Sequence, residues 1–202
     1  MNENAMIHFA PLQGYTDAIY RQAHARIFGG IETYYSPFVR VERGEIRRRD
    51  VRDIELDNNQ GLHLIPQLIA PDADKLEQIM SLFIGKEYNE VDINLGCPFP
   101  MLAKRHNGAG MLPYPEEVKA LLTTAVEKYP DIRFSVKLRL GWDDAGECLA
   151  LLPLFNELPL SHIILHPRLG KQQYKGKVDL NGFEAFYEGC NKPLLYNGDL
   201  HT

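Results

Sequence analysis

The stretch Asp92-Ile-Asn-Leu-Gly-Cys-Pro98 sets a thiol two residues beyond a short apolar run, next to an amide and a glycine turn. A buried strand over 90–95 that ends in this way presents its thiol and backbone at a carboxyl end. In parallel α/β folds that end is where chemistry sits. Taken alone, Cys97 reads equally as a small buried hydrophobe, the fate of most free cysteines. What decides between the two is the pattern that recurs along the rest of the chain.

Short apolar runs alternate with amphipathic stretches. Strands are expected at 7–10, 33–35, 62–68, 90–95, 134–138, 162–165 and 193–196, with helices at about 17–27, 73–83, 115–128, 145–155 and 180–187. Thr16-Asp17, Asp72 and Pro115-Glu-Glu117 are plausible helix starts. Such alternation predicts a parallel sheet with right-handed crossovers. Gln67, Cys97, Lys137, His166 and Asn197 each fall at or just past the end of an expected strand, at intervals of 30, 40, 29 and 31 residues. A ring of polar groups from successive strands is the catalytic face of a (β/α)8 TIM barrel, whereas an open sheet concentrates them at a switch point. The count gives seven strands by Thr202, so the expectation is a TIM barrel truncated after strand seven.

Composition fits a globular chain: 202 residues, 45% hydrophobic, with no apolar run approaching the ~18 residues of a membrane span. The first six residues lack a basic segment followed by an apolar one, so export is not expected. Three widely spaced cysteines (97, 148 and 190) argue against a disulfide framework and a zinc site, and for a reducing, cytoplasmic setting. Cys148 and Cys190 read as packing residues. The formal charge of −5 is mildly against a nucleic-acid partner, but the basic residues cluster. Six arginines (40, 43, 47, 48, 49, 52) stand against three acids between 40 and 52, and Lys104-Arg105-His106 and Lys171, Lys175 and Lys177 form further groups. Each cluster alone reads as solvated loop charge.

Phe9-Ala-Pro-Leu-Gln-Gly-Tyr-Thr-Asp17 with Arg21 resembles the opening motif of the tRNA-dihydrouridine synthases. Pro66-Gln-Leu68, the 92–98 stretch, Val136-Lys-Leu-Arg-Leu-Gly141, His166-Pro-Arg168 and Asn197-Gly-Asp199 are similar to that family's later motifs, in order, over residues 7 to 199. The resemblance implies an FMN-dependent barrel that reduces the 5,6 double bond of uridine in tRNA, with NADPH as the electron donor. It implies that Pro11, Leu12 and Gln13 lie against the flavin and that Gln67 bonds the isoalloxazine edge. Lys137 then faces the pyrimidine end, where reduced flavin carries negative charge. His166 lies near flavin and substrate, and Asn197, Gly198 and Asp199 border the ribityl–phosphate side. Asn94 and Arg139, with Arg168, hold the target uracil, and Cys97 is the general acid. A thiol of ordinary pKa, roughly 8.5, is protonated at neutral pH and suits a proton donation to C5. A base in folded tRNA has to leave its stack to reach such a site, and basic loops on the same face suit its phosphates.

Each assignment has a plainer competitor. Lys137 also reads as a snorkelling strand-end residue, His166 as a loop histidine, Gln67 as a strand cap, and Asn197-Gly198 as a turn. Tyr15, Tyr34 and Tyr35 read as core packing before base stacking. Two departures from the family pattern stand out. Pro100 falls in the loop after the cysteine, and neither the last barrel strand with its phosphate loop nor a C-terminal helical tRNA-binding domain is recognised within 1–202. Two other functions remain open on sequence alone: an FMN barrel acting on a free pyrimidine, resembling dihydroorotate dehydrogenase, and a catalytically inactive RNA-binding barrel fragment.

Overall fold

The computed structural model describes residues 7–200. Its strands are β1 (His8–Phe9), β2 (Thr33–Tyr35), β3 (Val41–Glu42), β4 (Glu45–Ile46), β5 (Leu64–Ile65), β6 (Gln67–Leu68), β7 (Glu90–Leu95), β8 (Arg133–Gly141), β9 (Ile163–Leu169) and β10 (Leu194–Tyr196). Its helices are α1 (Ala18–Ile27), α2 (Arg48–Asp53), α3 (Ala73–Gly85), α4 (Pro100–Ala103), α5 (Pro115–Lys128), α6 (Gly146–Ala150), α7 (Leu152–Glu157) and α8 (Leu180–Gly189).

Apart from the β3–β4 hairpin, every strand pairs in parallel, in chain order. The expected strand over 62–68 is one strand broken at Pro66, which has no N–H to give to a ladder. Leu64 and Ile65 pair back to Tyr34 and Tyr35. Gln67 and Leu68 pair forward to Asp92 and Ile93, and the Pro66 carbonyl accepts the Asp92 N–H at 3.0 Å. The sequential parallel order and strand–helix alternation are those of a TIM barrel. Among the described residues β1 and β10 do not pair with each other.

Strand alternation sorts the side chains into two cores. Ile93 and Leu95, Val136 and Leu138, and Ile163 and Leu165 face outward to Leu76, Ile79 and Phe83 of α3 and Val118 and Leu122 of α5. Tyr35, Ile65 and Ile164, with Leu195, form a separate cluster inside the barrel. Below it lies a polar floor. The Tyr35 hydroxyl meets His8 Nδ1 at 3.0 Å and His162 Nε2 at 2.7 Å, joining β1, β2 and the foot of β9.

The helices start where local chemistry starts them. Asp17 accepts from the Tyr20 N–H and Asp72 from the Lys75 N–H, at 2.9 and 2.8 Å. Pro115 opens α5 with Glu116 and Glu117 in its first turn. The expected helix over 145–155 is two helices, because Pro153 cannot donate to the preceding turn and instead sits at the start of α7. Arg48 and Arg49 of the basic tract open α2 and do not lie in a loop, while Arg47, the extended residue just before it, grips Asp50 with two hydrogen bonds of 2.7 Å. It follows a hairpin whose turn residues, Arg43 and Gly44, have φ of 54° and 85°. No helix among the described residues is long and apolar enough to cross a membrane.

The floor makes the fold acid-sensitive. Burial pushes His162 down to about 4, with His8 adding to the effect and Glu90 opposing it. A histidine whose folded pKa lies below its unfolded value, about 6.5, takes up more protons unfolded than folded. Stability is therefore full above pH 6.5 and falls as the pH drops toward 4. We expect a loss of roughly 1–3 kcal/mol across that window in urea titrations. His162→Gln should flatten this limb, and an unchanged acid limb in that variant would rule the floor out as its source.

Candidate functional site

At the carboxyl ends of the strands the inward positions become polar. Asp92 and Asn94 alternate on β7, Ser135, Lys137 and Arg139 on β8, and His166 and Arg168 on β9, as the period of two requires. Asn94 stands opposite Lys137 and Asp92 opposite Gln67 and Ser135. These positions surround a narrow cleft of about 60 Å³, whose walls include Pro11, Leu12, Gln13, Gln67, Asn94, Cys97, Lys137, Arg139 and His166. Nine of the residues singled out in the sequence thus converge on one cleft.

The turn that carries Cys97 is clamped from below. Asn94 Oδ1 accepts both the Gly96 and Cys97 N–H groups, at 3.0 and 2.8 Å, while its own Nδ2 donates to Gln67 Oε1 at 2.8 Å. Gln67 Nε2 donates to Asp92 at 2.6 Å, and Ser135 Oγ donates to the other Asp92 oxygen at 2.7 Å. From above, the loop through α4 folds back, and the Ala109 N–H reaches the Cys97 carbonyl at 3.1 Å. Gly108 makes this possible, since at φ 58° a Cβ there would lie 2.8 Å from Cys97 Cβ. Pro100 accordingly opens a short helix and leaves the loop compact.

Burial raises the Cys97 thiol pKa, against the opposing pull of the Phe99 N–H and of Arg139, Arg40 and Lys137. The group is a thiol, not a thiolate, at neutral pH. Lys137 is pushed down to about 8 by burial, while Asp92 holds it up. Its ammonium has no hydrogen-bond acceptor among the described residues. Asp92, wholly buried, is raised to about 6 by desolvation despite its bonds from Gln67 and Ser135. Gln13 Oε1 is also buried without a partner among the described residues.

The other predicted residues hold the frame. Arg139 donates to the carbonyls of Gly96 at 3.0 Å, Leu169 at 3.1 Å and Gln173 at 2.6 Å, tying the cysteine turn to the loop after β9. A register shift between Arg139 and Gly141 marks this end of β8, which runs beyond the expected 134–138. His166 is pushed down to about 3 by burial and by the Arg139, Lys137 and Arg168 cations. Its Nε2 accepts from Arg168 at 3.1 Å. Arg168 also pairs with Asp199 at 3.0 and 2.5 Å, outside the cleft wall. Asn197 and Gly198 flank that pair, and a Cβ on Gly198 would lie 3.5 Å from the His166 ring.

Sequence reasoning missed Asp92, Ser135, Phe38 and Tyr174. The first two carried a signal, being polar residues at inward register within otherwise apolar strands. Tyr174 carried none. It lies in the loop after β9, its ring 5.3 Å from the Arg139 guanidinium and edge-on to His166 at 6.2 Å. A larger groove of about 840 Å³ lies between α1 and α2, sharing Gln13 and Pro37 with the cleft. Of the four aspartates that line it, Asp50 and Asp53 are taken up by Arg47 and Arg21 and Asp17 caps α1, and no cysteine, histidine or lysine lines it, so the convergent chemistry marks the smaller cleft as the site. No group of three or more His, Cys, Asp or Glu among the described residues is placed to hold a metal.

The arrangement is similar to known proteins over nearly its whole length. The solved structure of a variant of NCR from Zymomonas mobilis superposes with a TM-score of 0.61 at 12% identity, covering 96% of this chain and 75% of that one. That likeness concerns the fold alone. The tRNA-dihydrouridine(16) synthase of Neisseria meningitidis serogroup B is 28% identical, over 99% of this chain and 62% of the relative. The tRNA-dihydrouridine synthase B of Pasteurella multocida is 24% identical, over 96% and 58%. The chain thus spans about 60% of the length of these relatives. The model of the family described as Dihydrouridine synthase (Dus) matches residues 8–202, so the chain belongs to the dihydrouridine synthase family.

Proposed function

We propose that the chain is the barrel part of a flavin-dependent tRNA-dihydrouridine synthase, reducing the C5–C6 double bond of uridine in tRNA with Cys97 as the proton donor. One observation carries the reading. A protonated thiol and a lysine ammonium without a hydrogen-bond acceptor among the described residues open on the same cleft from adjacent strands. Family membership and the tRNA-dihydrouridine synthases among its relatives support it.

The polar atoms of the cleft fit the ring of an FMN. Among the described residues the buried Gln13 Oε1 has no partner and Lys137 Nζ makes no hydrogen bond; a heterocycle with alternating carbonyl and N–H groups would supply both. Lys137 would sit at the pyrimidine edge, with Pro11, Leu12 and Gln13 against one face and Gln67 along the rim. A bound flavin supplies the hydride for C6 of the uracil, and NADPH is the reductant we expect to restore it. The chain's own part is proton delivery and orientation. Cys97 Sγ gives its proton to C5 as charge builds on the uracil ring, and the thiolate left behind is met by Arg139, Arg40 and Lys137. Tyr174 and Asn94 border the space a flipped base would enter. Arg168, bound to Asp199, steadies His166 beside it. The arginines of the hairpin and α2, with Lys104 and Arg105, are the cations we assign to tRNA phosphates, in a cytoplasmic enzyme.

Mass spectrometry of tRNA incubated with the FMN-loaded protein and NADPH tests the reading. Cys97→Ala should lower dihydrouridine formation by about 10²-fold or more while the flavin absorption band is retained. Unchanged product would exclude Cys97 as the acid. Turnover of free pyrimidines in place of tRNA would overturn the substrate.

The Lys137 cation gives a second test. Its pKa of about 8 means that positive charge is present below pH 8 and lost as the pH rises through it. FMN affinity should weaken over that range and be weak at all pH values in Lys137→Ala. Fluorescence titration of FMN that shows equal affinity at pH 7 and 9 would contradict the role.

A further inference from the structure

Asp92 lies at the meeting point of the two functional halves of the cleft and touches neither ligand position itself. It is wholly buried, and both its oxygens are engaged, one by Gln67 of β6 and the other by Ser135 of β8. Through Gln67 it reaches Asn94, and through Asn94 the N–H groups of Gly96 and Cys97, in an unbroken series of hydrogen bonds between 2.6 and 3.0 Å. On its other side, two residues beyond Ser135 on β8, Lys137 points into the same interior. A carboxylate in such a place needs full hydrogen bonding and a counter-charge. An asparagine would fill the same volume at lower cost if packing were the only requirement.

We propose that Asp92 is a positioning residue for both halves of the site, as the fixed counter-charge of Lys137 and, through Gln67 and Asn94, as the anchor of the turn that carries Cys97. The role rests on the reading of Cys97 and Lys137 given above. The two halves are coupled through one group. While Asp92 is a carboxylate, it accepts from Gln67, which fixes the Gln67 amide so that Oε1 faces Asn94 Nδ2, and that in turn leaves Asn94 Oδ1 to the cysteine turn. The same negative charge favours the ammonium form of Lys137 against desolvation. Few other charges bear on the pair. Tyr35 of β2 senses Asp92 and Glu90 from below, while Arg139 and Cys97 face Lys137 from above. Of the groups acting on Lys137, Arg139 disfavours its cation and Asp92 favours it more than any other.

The test uses the flavin-free full chain, so that it stands apart from turnover. Lysine-labelled NMR, with Lys137 assigned by Lys137→Arg, should show an ammonium titrating near 8 in the wild type. In Asp92→Asn the midpoint should fall by at least about one pH unit, the scale of a close opposite charge. Ser135→Ala, which removes a hydrogen bond and leaves the charge, should leave the midpoint in place. Equal midpoints in wild type and Asp92→Asn would overturn the counter-charge role. Should Asp92→Asn not fold, the wild type still decides, because the Lys137 signal must then show a second inflection as Asp92 takes its proton near 6, and its absence would refute the coupling. The anchor role is read from alkylation of Cys97 by iodoacetamide. Gln67→Met cuts the series between Asp92 and Asn94 and should speed modification about fivefold, the effect of one lost hydrogen bond; an unaltered rate would remove that half of the proposal. A chain that gives all these results yet makes no dihydrouridine would refute the activity and leave the role of Asp92 standing.

Discussion

Burying a carboxylate in the middle of a parallel sheet costs several kcal/mol unless hydrogen bonds and an opposite charge compensate it. For Asp92 the compensating groups are Gln67, Ser135 and Lys137, and these same side chains, with Asn94, make up the polar layer under the cleft. The position of one costly group therefore dictates the identity of its neighbours on three strands. Parallel pairing makes this possible, because β6, β7 and β8 hold Gln67, Asp92 and Ser135 side by side in register. A one-residue slip of β7 would turn Asp92 toward the helices and leave it among leucines.

The barrel interior is layered as a consequence. The histidine–tyrosine floor lies at the amino ends of the strands and the small apolar cluster of Tyr35, Ile65 and Ile164 above it. Over that come the Asp92 layer and then the cleft. Each polar layer is satisfied differently. The floor relies on neutral histidines, which burial enforces, whereas the upper layer keeps a lysine charged. The apolar layer between them limits water access from below and raises the strength of every charge interaction above it.

Most of this was legible before the structure. β2, β7 and α5 fall where hydrophobic pattern and capping residues put them, because their signals are local and uninterrupted. Errors occur where a proline or a turn redirects the chain. Pro66 and Pro153 split elements whose hydrophobic runs continue unbroken, and Arg43-Gly44 closes a hairpin too short to show a period. The cleft was legible because inward positions recur once per β/α unit, so a polar residue at each strand end identifies itself. Asp92 was passed over although its inward register set it apart from the apolar residues of β7: it sits mid-strand, away from the strand ends, and its role shows only once Gln67 and Ser135 are seen beside it. Tyr174 depends on the path of a loop, fixed only by the Arg139 bonds to Leu169 and Gln173.

The distribution of guanidinium hydrogen bonds bears on how a base is recognised. Arg139 and Arg168 are nearly without exposure, and most of their donors go to backbone carbonyls or to Asp199. A donor already bonded to protein offers little selectivity to a ligand, since its partner would have to be given up first. Arg139 therefore contributes mainly by joining the Cys97 turn to the loop that presents Tyr174, so that the acid and the aromatic wall keep a fixed separation. On our reading of the site, the Lys137 ammonium and the Gln13 carbonyl are left for the flavin, and direct recognition of the base falls to the second N–H of the Asn94 amide. Buried arginines here set the geometry within which those few groups act, and their value lies in rigidity more than in contact with the substrate.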